Sequence, residues 1–186
     1  MGKRFPALEQ KHIDFVQAQK LFFVGTAASE GRVNVSPKGM DSLRILNPNT
    51  VAWLNLTGSG NETSAHVQQL PRMTIMFCAF EGAPVILRMY GMAEVLHQGD
   101  RDWENYRGLF PTLPGSRQIF ILHIDLVQTS CGMGVPLFEY GGDRDALNQW
   151  ANKKGEQGIQ DYWTNKNQLS LDGQATNILE YSNLSS

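Results

Sequence analysis

A mainly β fold with flanking helices, closed as a barrel or a sandwich, is what the sequence predicts. Three observations predict it. Apolar and polar residues alternate in short runs, the period of a half-buried strand. Turn residues divide those runs at short spacing, as in barrels and sandwiches. Most gaps are too short for the helix of about ten or more residues that a parallel crossover needs.

The elements follow in order. Leu8, Ile13 and Val16 share one face of a short helix over 8–20, with Gln, Lys and Glu on the other. A strand over 21–27 carries Phe22, Phe23 and Val24, and Ser29-Glu30-Gly31 turns the chain. The next strand, 32–36, points Val33 and Val35 one way and Arg32, Asn34 and Ser36 the other. Further strands are expected over 42–46, 51–56 with Trp53, 74–80, 85–96 and 118–127. Two longer gaps hold helices. One spans 64–70; the other spans 100–109, with Asp100 as N-cap and Trp103 and Tyr106 on one face.

Beyond Gly141-Gly142 the alternation ends and Asn and Gln accumulate. A helix over 143–154 is capped by Asp143, striped by Leu147, Trp150 and Ala151, and stopped by Gly155. A second, over 156–166, centres on Ile159, Tyr162 and Trp163. Its tryptophan and Trp150 need burial. Residues 141–186 are therefore expected as a helical appendage packed on a barrel domain of residues 1–140. The end, Asn183-Leu184-Ser185-Ser186, is expected to fray.

Composition narrows the function. The chain has 186 residues, enough for one domain with a substantial core. Sixteen Lys and Arg against eighteen Asp and Glu leave a net charge of −2. That gives no electrostatic footprint for nucleic acid and no basic block for an anionic membrane. Apolar runs such as 21–24 and 119–122 are far too short to span a bilayer. Met1-Gly2-Lys3-Arg4-Phe5-Pro6 lacks the apolar stretch of a secretion signal. Cys78 and Cys131 alone make no disulfide scaffold, and a cytoplasmic location is the expectation.

Two stretches carry candidate chemistry. In Thr57-Gly58-Ser59-Gly60-Asn61-Glu62-Thr63 two glycines let backbone N–H groups turn inward ahead of a helix. A helix start offers free N–H groups and a positive dipole end, so the stretch makes either a phosphate nest or a plain strand-to-helix turn capped by Thr63. It is neither a Walker loop nor a dinucleotide fingerprint. In Asn34-Val35-Ser36-Pro37-Lys38-Gly39, residues 34, 36 and 38 share a face. That face either lines a pocket or is a solvated edge guarded by Lys38.

These stretches sit in a longer pattern. Phe22-Phe23-Val24-Gly25-Thr26-Ala27, Gly31-Arg32-Val33-Asn34-Val35-Ser36-Pro37-Lys38-Gly39, Asn55-Leu56-Thr57-Gly58-Ser59-Gly60-Asn61-Glu62-Thr63 and Arg72-Met73-Thr74-Ile75-Met76-Phe77-Cys78-Ala79-Phe80 follow one another. So do Pro84-Val85-Ile86-Leu87-Arg88-Met89-Tyr90-Gly91, Ser130-Cys131-Gly132-Met133-Gly134-Val135-Pro136 and Asn167-Gln168-Leu169-Ser170-Leu171-Asp172-Gly173. Over roughly residues 5–175 the chain resembles the pyridoxamine 5′-phosphate oxidase-like family of FMN-binding split barrels. It is most similar to a bacterial branch without an assigned activity.

The resemblance implies a six-stranded antiparallel split β-barrel and a homodimer with FMN at its interface. It implies that Asn34, Val35, Ser36, Pro37 and Lys38 run beside the flavin ring. It implies that Asn55, Leu56, Thr57, Gly58, Ser59, Gly60, Asn61, Glu62 and Thr63 hold ribityl and phosphate, and that Arg88 reaches the flavin. The expected function is flavin-dependent oxidation or reduction of a small molecule, with a small electron donor and acceptor. A flavin carrier or redox sensor is the alternative, and a barrel for another cofactor such as haem or pyridoxal phosphate is the third reading.

One departure stands out. Family oxidases carry Ser-Arg-Lys in the phosphate loop, where this chain reads Ser59-Gly60-Asn61-Glu62. The pyridoxine-pathway activity is therefore not expected, and Lys38, Arg72 and Arg88 are the cations available to a phosphate. Lys38 and Ser36 are candidates to tune the ring. His12, His66, His97 and His123 show no metal-ligand spacing; His66 is expected in a structural role and His123 in the core or an interface. Cys78 reads as a buried thiol and Cys131 as an exposed one.

Overall fold

The computed structural model describes residues 2–181. Its elements are β1 (Lys3–Phe5), α1 (Gln10–Ala18), β2 (Phe22–Thr26), β3 (Asn34–Lys38), β4 (Leu43–Asn47), β5 (Thr50–Leu56), α2 (Glu62–Gln69), β6 (Arg72–Cys78), β7 (Val85–His97), α3 (Trp103–Arg107), β8 (Ser116–Cys131) and α4 (Ala146–Lys166). The expected end at residues 183–186 lies outside the described residues. No helix among them is long and apolar enough to cross a membrane.

All pairings between these strands are antiparallel. The order is β3-β2-β6-β7-β8-β5-β4, with β1 laid against β8. Eight strands thus replace the six expected from the family. The alternation marks seven of them; β1 is three residues long, too short for a period of two to show.

The sheet curls on itself. Phe22 on β2 and Trp53 on β5 are separated by three strands in sheet order, yet their ring centroids lie 6.4 Å apart. Trp53 also stacks on Phe120 at 4.8 Å. Around them Val24, Ile75, Phe77, Leu87, Met89 and Leu122 are buried in one core. Each such side chain contributes about 1.5–3 kcal/mol on burial. The path ends at β3 and β4, which do not pair with each other; this is the split in the barrel.

A bulge lets the two longest strands follow the curl. The register of β7 against β8 shifts between Tyr90 and Gly91. At Gly91 a Cβ would overlap the carbonyl of His123, so only glycine allows the backbones to approach this closely.

The helix starts are displaced from those the sequence suggests, α2 earlier and α3 and α4 later. The N-cap of α2 is Asn61, not Thr63; that of α3 is Asp102, not Asp100; and that of α4 is Asp145, not Asp143. Asp100 instead accepts the His97 N–H at 2.7 Å, closing the turn before α3. Gly155 breaks α4 into two helical pieces with φ 66 and ψ 174, a left-handed φ that glycine tolerates. Ile159 and Trp163 of its second piece bury with Ala151 and Ile178.

Two side chains depart from expectation. His123 is not in the core: it is exposed on β8, with Nε2 2.7 Å from Glu94. The strand around 32–36 is also turned inside out relative to its apolar pattern. Val33 and Val35 are 72% and 65% exposed, while Asn34, Ser36 and Lys38 lie opposite Thr26, Val24 and Phe22 on the inner face.

Candidate functional site

The inward polar face of β3 opens onto a cavity of about 200 Å³. Asn34, Ser36 and Lys38 form one wall. Asn55 and Leu56 at the end of β5, the Gly58–Asn61 turn, and Glu62 and Thr63 at the start of α2 form the others. Most of the residues proposed from sequence therefore meet in one place. Thr57 and four glycine, serine and asparagine residues turn the chain between β5 and α2, leaving the first N–H groups of α2 without intrahelical partners.

Four of the proposed residues stand apart from this cavity. Val35 and Pro37 face the other side of β3. Thr57 turns away: its hydroxyl donates to the Gly115 carbonyl at 2.7 Å and accepts the Trp163 indole N–H at 2.8 Å. Arg88 lies in the same cross-strand row as Met76, Phe23 and Pro37, on the outer face, and donates to Ser130 Oγ at 3.2 Å. Within one chain neither Arg88 nor Arg72 lines the cavity.

The second cation is one that the sequence reading missed. Arg117, in β8, is 3% exposed and lines the cavity. Its Nη1 donates to Asn167 Oδ1 at 2.8 Å, and its Nε has no partner among the described residues. The signal was present: Arg117 precedes the apolar run 118–122 just as Arg88 interrupts 85–90, and a cation there must be paired or bind an anion.

Burial pushes the Lys38 ammonium down from 10.5 to about 8, with Arg117 adding to the fall and Glu62 opposing it. Burial likewise lowers Arg117 to about 10, against the pull of Glu62 and Tyr162. Both remain cations at neutral pH. Lys38 Nζ lies 4.9 Å from the centroid of the Trp53 ring, which holds it by cation–π attraction.

The walls are braced from behind. Asn34 Nδ2 donates to Thr63 Oγ1 at 3.1 Å, tying β3 to α2. Thr26 Oγ1 lies 3.2 Å from His66 Nδ1, so His66 is a buried anchor of α2. Asn55 Nδ2 donates to Gln118 Oε1 at 3.1 Å, and Gln118 Nε2 stands 3.3 Å from His97 Nε2. This network assigns the His97 proton to Nδ1, and burial lowers the imidazole's proton affinity.

Asn167, just after α4, latches the turn. Its Nδ2 donates to the Gly58 carbonyl at 3.1 Å, while its own carbonyl accepts from Asn61 Nδ2 at 3.3 Å. The Asp172 carboxylate accepts the Arg32 N–H at 2.7 Å and pairs with its guanidinium, holding the last loop against the start of β3. Arg32 in turn holds that carboxyl below the usual range, its backbone N–H first among the causes.

Three polar atoms in this region have no hydrogen-bond partner among the described residues: Ser36 Oγ, Asn61 Oδ1 and Arg117 Nε. Buried polar atoms are normally satisfied, so the cavity is built for a polar occupant. With two cations, it suits an anion.

The family model for pyridoxamine 5′-phosphate oxidase matches residues 8–131. The chain belongs to this family. A fungal relative from Aspergillus flavus, the pyridoxamine 5′-phosphate oxidase family protein ustO, is 36% identical over 91% of this chain and 75% of its own length. The likeness thus reaches beyond the bacterial branch. Among solved structures, a Lactobacillus delbrueckii protein named after the same oxidase superposes with a TM-score of 0.53 at 20% identity, covering 66% of this chain and 94% of that one. HupZ of Group A Streptococcus superposes with a TM-score of 0.52 at 19% identity, covering 66% and 98%. These superpositions show the fold. The family match ends at residue 131, so Asn167 and Asp172, which brace the cavity, lie beyond it.

Proposed function

We propose that the cavity holds the phosphate end of FMN and that the protein is a flavin-dependent oxidoreductase of small molecules, other than a pyridoxamine 5′-phosphate oxidase. The observation that carries this reading is the pair of half-buried Lys38 and buried Arg117 facing unpartnered polar atoms beside the start of α2. These residues fit a phosphate: two cations, hydroxyls of Ser36 and Ser59, and backbone N–H groups of a helix start. Glu62 is the one group that does not fit by charge.

A bound flavin would supply hydride or electron transfer at its ring. The chain's own groups do the rest. Arg117, held by Asn167, fixes the phosphate. Lys38, held over Trp53, places a positive charge beside β3, where it favours a group that gains electrons. Asn34, tied to Thr63, keeps that wall in register.

The cavity, at about 200 Å³, is smaller than the roughly 300–1,000 Å³ of a complete small-ligand site. A second copy of the chain completes it in this reading. Val33, Val35 and Met92 expose apolar surface on the outer face of the sheet whose inner face forms the cavity. A homodimer would cover them and bring the partner's outward groups toward the cavity's mouth.

The test is purification without added cofactor, a visible spectrum, and the mass of any released chromophore. Two flavin bands resolving to FMN support the reading, as does oxidation of a reduced nicotinamide by the loaded protein. No chromophore and no FMN uptake on titration would overturn it. FMN uptake without turnover of any donor would leave a flavin carrier or sensor in place of an oxidoreductase.

A further inference from the structure

Glu62 is the only acidic side chain lining the cavity among the described residues. It is the first residue of α2, and its carboxylate folds back onto Gly60, where a Cβ would collide with it. The charged groups facing it are Lys38 from β3 and Arg117 from β8, and Tyr162 of α4 acts on Arg117 in turn. Among the described residues Glu62 makes no ion pair within 4 Å with either cation. It therefore adds negative charge to the cavity without neutralising one cation through direct contact. Two positive groups and one negative leave the walls one charge short of matching a phosphate dianion.

We propose that Glu62 makes this a site for a phosphorus group carrying one negative charge. The assignment rests on the flavin reading for the rest of the ligand and names which form of it the site prefers. The pyrophosphate link of FAD carries one charge on each phosphorus, and the phosphorus in the cavity meets the walls as it is. A phosphomonoester, as in FMN, has a second pKa of about 6 and is mostly a dianion at pH 7. To reach the same balance its phosphate takes up one proton. Riboflavin carries no such group and takes up none.

The experiment is titration of riboflavin, FMN and FAD into the native chain and Glu62→Gln at pH 7. Calorimetry in two buffers of different ionisation enthalpy counts the protons. On the native chain FMN binding takes up close to one proton, and FAD and riboflavin take up almost none. Lys38 adds only about a tenth of a proton, since with its pKa of about 8 it is already mostly protonated at pH 7. In Glu62→Gln the proton uptake disappears and FMN binds about tenfold tighter, FAD tightens by less than FMN, and riboflavin changes by less than about twofold. The native-chain comparison needs no variant, so a folding defect in Glu62→Gln does not blunt it.

No proton uptake by FMN on the native chain, with an unchanged FMN-to-FAD preference in Glu62→Gln, overturns the assignment and leaves the flavin reading standing. Binding of no flavin by either chain overturns the flavin reading instead. Protection of Lys38 from acetylation then decides the assignment by itself. Better protection by dimethyl phosphate than by methyl phosphate in the native chain, reversed in Glu62→Gln, supports it. Equal protection by the two overturns it.

Discussion

Replacing Lys38 with methionine should stabilise the protein while weakening its ligand site. Burial lowers the Lys38 ammonium from 10.5 to about 8, a fall of about 2.5 units. At about 1.36 kcal/mol per pH unit this is a penalty of about 3 kcal/mol at neutral pH. Methionine keeps an apolar stem on Trp53 and removes the charge. It also removes the cation–π contact, worth about 0.5–2 kcal/mol. The balance favours Lys38→Met by about 1–2 kcal/mol, or roughly 2–8 °C in Tm for a chain of this size. The pH dependence gives the sign independently. A lysine whose pKa is lowered on folding binds fewer protons in the native state, so native stability rises with pH between about 8 and 10.5. The advantage of the variant is complete below about pH 8 and vanishes toward 10.5. Urea denaturation at pH 7 and pH 10 measures both, and FMN titration should show at least about tenfold weaker binding. A variant less stable than the native chain at pH 7, or a difference that ignores pH, would refute the reasoning and make Lys38 a structural group.

Other perturbations read other parts of the molecule. Gly91→Ala should cost about 3 kcal/mol or more in denaturant midpoint, because the added Cβ meets backbone that cannot move aside. Asn167→Ala strips Arg117 Nη1 and the Gly58 carbonyl of their partner, and should cost about 2–4 kcal/mol together with a loss of FMN affinity. Val35→Asp, at an exposed position, should leave monomer stability within about 0.5 kcal/mol yet shift light scattering from two copies to one. His97, neutral and buried, should leave stability flat above about pH 6.5 and lower it as pH falls below that, since the unfolded imidazole takes the proton first. Denaturant midpoints across that range should be flatter in His97→Gln.

Legibility in the sequence tracked how local each signal is. The alternating strands from β2 to β8 and the break at Gly155 are written in neighbouring residues, and they were readable. The start of β1 was not, because a three-residue strand carries no period. The Gly-rich turn announced itself by composition, and the common face of Asn34, Ser36 and Lys38, though not its inward direction, by spacing. Arg117 and Asn167 did not, since neither is near the turn in sequence: Asn167 reaches Gly58 across more than a hundred residues. Arg88 stands out in its apolar strand and through the family resemblance, but the register of the sheet turns it to the outer face. The same register places His123 on the solvent face.

The reversed polarity of β3 ties these observations together. A strand that turns half-buried Asn34, Ser36 and Lys38 inward and exposes Val33 and Val35 loses stability on both faces. Ser36 Oγ without a partner costs about 1–3 kcal/mol, and the depressed Lys38 costs a similar amount. The exposed valines forgo the gain their burial would bring. A fold that only needed a stable edge would have reversed the strand's register by one residue, which moves every side chain to the other face. The hydrogen bonds from Asn34 to Thr63 and the Arg32–Asp172 pair hold the costly register instead. Both costs would be relieved by the additions proposed above: an anion for the inner face and an apolar surface for the outer one. On the proposed reading a bound ligand and a second copy would be coupled through one strand, each compensating the face the other leaves.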